Sequence, residues 1–200
     1  MIDTFKTIET ESVGNFKDKG SKFQAFLYPV NDEDEIKQIL TRLKKEHHSA
    51  RHHCYAWRLG TEDITFRVND DGEPSSTAGK PILGQLQNFG VTQVLLVVVR
   101  YFGGTLLGVS GLINAYRNAA ADALKNAKII EKIIENEFFL YFTYKELNDV
   151  MQIIKQENLT IFQTWFEEKC RLLFSVRKSE TEKIVQIFHH FYGVEIRKKE

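Results

Sequence analysis

Val94-Leu95-Leu96-Val97-Val98-Val99-Arg100-Tyr101-Phe102-Gly103-Gly104 is the stretch on which the fold turns. Its first six residues are apolar without alternation. A strand written this way is buried on both faces, so layers must lie on both sides of its sheet. The run is far too short to span a bilayer. The strand is expected over residues 91–102. Gly103, Gly104, Gly108 and Gly111 then punctuate a bend before a helix at about 110–127, whose apolar side is Leu112, Tyr116, Ala119, Ala120, Ala123 and Leu124.

Upstream of this strand, Asn69 to Lys80 (NDDGEPSSTAGK) has no apolar period and reads as a loop. Residues 81–89 read as a short helix with Pro81 in its first turn. Residues 53–59 and 64–68 read as strands, and 15–30 as a strand or hairpin closed by Pro29. Ile36, Ile39, Leu40 and Leu43 carry the helical period over 32–46. Asp32 to Glu35 suit the positive end of that helix, and Arg42, Lys44 and Lys45 the negative end. The first eleven residues are mixed polar and lack the apolar core of a signal peptide.

Downstream, the order becomes strand 136–144, helix 145–157, strand 159–167, strand 170–177, helix 180–191, strand 193–198. Ser179 followed by Glu182 is a capping-box pattern. This β-α-β-β-α-β order is that of a ferredoxin-like split sandwich. Two domains are therefore expected, 1–130 and 131–200. Their junction is the polar stretch Asn126 to Glu137 rather than a Pro/Gly linker.

Over 200 residues, 27 Lys and Arg balance 27 Asp and Glu, and 42% of residues are hydrophobic. Disorder is excluded by that apolar content. Zero net charge excludes indiscriminate binding to polyanions, so any nucleic-acid contact needs a local patch. Cys54 and Cys170, the only cysteines, form neither a disulfide framework nor a paired-cysteine zinc motif. A reduced, cytoplasmic protein without a membrane segment is the expectation.

Four constellations could carry chemistry. His47-His48 and His52-His53-Cys54 offer metal-ligand types, but adjacent strand residues such as His52 and His53 point to opposite faces. No metal is expected. Asp70, Asp71 and Glu73 put three carboxylates in four residues, yet lack EF-hand spacing, and Asp71-Gly72 is ordinary turn chemistry. The loop with Ser75, Ser76, Thr77 and Lys80 fails the phosphate-loop pattern, because six residues separate Gly72 from Gly79 and Pro81 follows Lys80. It can still present hydroxyls and backbone N–H groups to a phosphate. Arg100-Tyr101-Phe102-Gly103-Gly104 is not a dinucleotide fingerprint. A strand, a glycine bend and a helix N-terminus nonetheless make a natural anion site, to which Arg100 adds a planar charge and Tyr101 and Phe102 stacking faces. No nucleophile stands out, and no cofactor is indicated.

Gly20-Ser21-Lys22-Phe23, Ala50-Arg51-His52-His53-Cys54-Tyr55-Ala56-Trp57, Asp70-Asp71-Gly72-Glu73-Pro74 through Thr77-Ala78-Gly79-Lys80-Pro81, and Val97 through Gly104 to Leu107-Gly108 occur in the order of the IMPACT family, which the chain resembles in its bacterial YigZ-like form. The resemblance implies an α+β fold: an N-terminal ribosomal protein S5 domain 2-like fold plus a C-terminal ferredoxin-like domain resembling elongation factor G domain V. It also implies a role in translation or its regulation. Eukaryotic relatives regulate translation under amino-acid starvation by binding the activator of an initiation-factor kinase, and bacteria lack that pathway. The leading expectation is a nucleic-acid-binding or ribosome-associated protein with no established catalysis, with RNA, the ribosome or a protein regulator of translation as partner. The candidate residues are Lys22, Arg51, His52, His53, Asp71, Glu73, Ser75, Thr77, Lys80, Arg100, Gly103, Gly104 and Gly108. Alternatives are an enzyme acting on a phosphorylated or anionic small molecule, and a protein-partner module. The sequence leaves the oligomeric state open.

Overall fold

The computed structural model describes residues 3–199. The chain divides into two compact units, one over residues 5–132 and one formed by residue 133 onward together with Asp3 and Thr4.

The larger unit is built on a five-stranded sheet of β2 (Ser12–Asp18), β3 (Ser21–Pro29), β4 (His52–Leu59), β5 (Thr65–Asn69) and β6 (Val94–Tyr101). The spatial order is β2-β3-β6-β4-β5, antiparallel throughout. β6 therefore lies in the middle, and Val94 to Val99 are fully buried, as their lack of alternation requires. Val94, Leu96 and Val98 pack with α2 (Gly79–Asn88) and α3 (Gly108–Asn126) on one face, while Leu95, Val97 and Val99 pack with α1 (Glu33–Glu46) on the other. Asp32 caps α1 by accepting the Glu35 N–H at 2.8 Å, and the acidic first turn sits where the helix dipole favours it.

Two expectations need correction here. The polar stretch after residue 126, expected only as the domain junction, is not merely connecting chain: β7 (Ile129–Ile133) within it pairs with β1 (Thr4–Ile8) as a two-stranded sheet. The helix expected from Pro81 begins at Gly79. The Asp70 carboxylate accepts the N–H groups of Ser76 (2.8 Å), Ala78 (3.0 Å) and Gly79 (2.8 Å), and so starts the helix from outside it.

The smaller unit holds β8 (Glu135–Phe142), α4 (Leu147–Gln156), β9 (Thr160–Phe166), β10 (Cys170–Arg177), α5 (Thr181–His189) and β11 (Glu195–Lys198). Its strand order, β11-β8-β10-β9, with antiparallel neighbours is the ferredoxin-like arrangement. Leu140, Leu172, Phe174, Ile184 and Phe188 are central to its core. With the larger unit, this gives the α+β class and the two domain folds implied by the resemblance. The capping box at Ser179 does not form. A short 3-10 turn at Lys178–Glu180 precedes α5, which has no side-chain cap.

Arg177 reaches Asp3 instead, donating from Nε at 2.6 Å and from a terminal nitrogen at 3.3 Å. Hydrogen bonds from Arg177 and then Ser179 hold the Asp3 carboxyl down from 3.8 to about 2. The folded state thus binds that proton less readily than the unfolded chain, so the stabilisation is complete above pH 3.8 and lost as the pH falls through about 2. Asp3→Asn is expected to flatten the acid-unfolding curve between these values. An unchanged curve would show that the fork adds nothing to stability.

Candidate functional site

The centre of the site is a buried ion pair at the end of β6. Arg100 is 5% exposed and Glu73 9% exposed. Arg100 donates from a terminal nitrogen to Glu73 Oε1 at 2.6 Å, and the Tyr116 hydroxyl donates to the same oxygen at 2.8 Å. Burial pushes the Tyr116 hydroxyl far above its ordinary range, with the neighbouring Cys54 and Glu73 adding to the shift, so it stays protonated as a donor. Cys54, also buried, lies 3.0 Å from the Asp70 carbonyl and 3.3 Å from the Tyr116 hydroxyl. Burial pushes this thiol up as well, which makes it a poor nucleophile.

His52 and His53 diverge as adjacent strand residues must. His52 approaches Glu73 Oε1 to 3.9 Å through Nε2, while its Nδ1 lies 2.8 Å from the Asp71 carbonyl. A carbonyl can only accept, so Nδ1 carries a proton and donates to it, and Nε2 is the nitrogen turned toward the ion pair. His53 is buried near Lys44 and His47 of the α1 side, and its desolvation lowers its proton affinity. Its backbone N–H is accepted by Asp71 at 2.7 Å. Asp71 also stands 3.6 Å from Lys44 and has a left-handed φ of 40°.

The three carboxylates of the acidic cluster therefore do not converge. Asp70 holds the start of α2, Asp71 holds β4, and Glu73 neutralises Arg100. Among the described residues, no group of three His, Cys, Asp or Glu is arranged to hold a metal ion.

Five candidate residues meet around one pocket of about 340 Å³: Arg51, His52, Glu73, Arg100 and Gly108. Phe102 forms part of its wall and is flanked by two guanidinium groups, Arg51 at 5.1 Å and Arg100 at 5.6 Å from the ring centre. A neighbouring groove of about 700 Å³ shares Phe102 and is lined by Lys17, Gly20, Lys22 and Tyr101. Gly103 and Gly20 hold this corner together. The Gly103 N–H donates to Ser21 Oγ at 3.2 Å, and a Cβ on Gly103 would fall 1.9 Å from the Gly20 carbonyl carbon. Gly104 and Gly108 have φ of 88° and 72°, which only glycine takes readily.

The other candidates lie apart. Lys80 borders a separate hollow with Ser76 and Arg117. Ser75 is exposed, and the buried Thr77 hydroxyl donates to the Pro74 carbonyl at 2.6 Å. The residues that sequence reasoning missed are Tyr116, placed only on the apolar side of its helix, and Leu106 and Val109 at the pocket mouth. A buried tyrosine hydroxyl needs a partner, so Tyr116 gave a usable signal. Leu106 and Val109 gave none, because exposure is not written in a loop sequence.

The described residues contain no helix long and apolar enough to cross a membrane. Residues 19–124, which include all these motifs, match the Impact N-terminal domain. An IMPACT family member of Haemophilus influenzae is 34% identical over 172 residues, covering 85% of this chain and 82% of its own. IMPACT family member YigZ of Escherichia coli is 38% identical over 140 residues, 69% of each chain. A crystal structure described only as that of a hypothetical protein superposes with a TM-score of 0.74 at 28% identity, over all of this chain and 99% of that one. With the domain match spanning more than half of the residues and the likeness to these relatives extending beyond it, the chain belongs to the IMPACT family.

Proposed function

We propose that this protein acts in translation or its regulation by binding RNA, free or within the ribosome, through the face around Phe102. The observation that carries the proposal is an exposed aromatic ring set among cations. Phe102 is 37% exposed, is flanked by Arg51 and Arg100, and borders the groove of Lys17 and Lys22. Single-stranded nucleic acid is held in this manner, by base stacking on aromatic rings and backbone tracking along a basic groove. Zero net charge is no obstacle, because the cations are local. Family membership supports the translational context, with the cytoplasm as the compartment. Of the candidate cations, Lys80 takes no part in this face.

The test is fluorescence anisotropy with a labelled single-stranded RNA across a salt series. Three phosphate contacts give a slope of about −2 in log affinity against log salt, roughly a tenfold to twentyfold loss between 50 and 200 mM. A Lys17→Ala/Lys22→Ala double variant should reduce that slope by about 1.4, and Phe102→Ala should weaken binding at every salt concentration. Undetectable binding, or binding indifferent to both variants, would remove RNA from consideration.

A further inference from the structure

We infer that the pocket between the end of β6 and the start of α3 is a binding site for a small organic anion, a compact oxyanion head on an apolar body. This inference does not rest on RNA binding: the pocket shares Phe102, Arg51 and Arg100 with the proposed RNA face, but its apolar wall at Leu106, Val109 and Leu112 is its own.

The charge balance of the floor supplies the head. Arg100 and Glu73 cancel each other. Arg51, in the wall, has no carboxylate partner among the described residues. The first turn of the 19-residue helix α3 also faces this pocket, through Gly108 and Val109, and that turn carries neither an acidic residue nor a side-chain cap. Its free N–H groups favour a negative charge. One further polar atom lacks a partner: Nε of Arg100, buried in this wall, makes no hydrogen bond. Buried donors are almost always satisfied, so the Arg100 guanidinium keeps donor capacity that Glu73 does not take up.

The walls supply the body. Leu106, Leu107, Val109, Leu112 and Phe102 line the cavity. Leu106 is 82% exposed and Val109 60% exposed. Large apolar side chains gathered around a charged floor are what a ligand with one polar end requires. A cavity of about 340 Å³ is at the small end of the range for organic ligands, and it is much larger than a bare phosphate or sulfate needs.

The experiment is calorimetric titration of the full-length chain with four probes. Phenyl phosphate and 3-phenylpropionate each carry head and body, inorganic phosphate is a head alone, and benzyl alcohol is a body alone. At least one of the first two should bind about tenfold or more tightly than either of the last two, and their order tells whether the head is a phosphate or a carboxylate. Val109→Glu should abolish that binding by placing a carboxylate in the site. A glutamate in the first turn of α3 favours the helix dipole, so the variant should remain folded, which thermal unfolding checks. Arg51→Gln should weaken the preferred probe severalfold, and Lys80→Gln should leave it unchanged. RNA binding by Val109→Glu, measured in parallel, should persist. Organic anions that bind no better than inorganic phosphate, or a Val109→Glu protein that binds them normally, would overturn the assignment whatever the RNA result.

Discussion

Glu73→Ala is expected to destabilise the larger unit by about 3–5 kcal/mol, the range for removing one partner of a buried ion pair. The guanidinium of Arg100, a buried residue, would lose its counter-charge, and the Tyr116 hydroxyl would lose its acceptor. The pair itself need not be strongly stabilising; the penalty lies in what is left unpaired. Glu73→Gln retains an acceptor for Tyr116 but not the charge, so it should be milder than alanine. Combining it with Arg100→Met, which removes the orphaned cation, should recover much of the loss. Urea unfolding followed through Trp57, buried against α1, measures all three. A loss below about 1 kcal/mol for Glu73→Ala is what an exposed pair gives, and would mean that water reaches the site freely.

Gly14→Ala should be nearly as damaging, at about 3 kcal/mol or more, beyond the usual range for overpacking because the obstruction is backbone. β2 crosses α3 so closely that a Cβ at residue 14 would lie 2.2 Å from the Ala123 nitrogen and 2.8 Å from the Ala119 carbonyl oxygen. Neither can swing aside as a side chain would. Gly84→Ala is the internal contrast. Gly84 lies within α2, and a Cβ there meets nothing within 4 Å. Its replacement should stabilise the protein by about 0.5–1 kcal/mol through helix propensity. Similar thermal shifts for the two variants would refute the close strand–helix approach.

Much of the fold was legible because periodicity is local. Ile36, Ile39, Leu40 and Leu43 mark one face of α1, and the unbroken run at Val94 marks a strand covered on both sides. The features missed were those in which distant segments satisfy one another. β1 and β7 are five residues each, contain charged residues, and pair across more than a hundred positions. The start of α2 is fixed by Asp70, which lies outside the helix. Ser179 was expected to cap α5, but the hydrogen bonding there involves Asp3, from the opposite end of the chain.

The candidate site divides in the same way. The sequence by itself determined which residue types are present, that His52 and His53 face opposite ways, and that glycines accompany the strand-to-helix bend. Only the tertiary structure decided that Glu73, Arg100 and Tyr116 share one oxygen, that Asp70, Asp71 and Glu73 turn apart, and that Lys80 lies away from Arg51. The physical reason is range. Side-chain direction within a strand follows from neighbouring backbone angles. The partner of a charge depends on what folding brings within a few ångströms and on how much water it removes. Glu73 and Arg100 are separated by 27 positions in the chain, and Glu73 and Tyr116 by 43; no local pattern joins them until the sheet and α3 have closed around the pair.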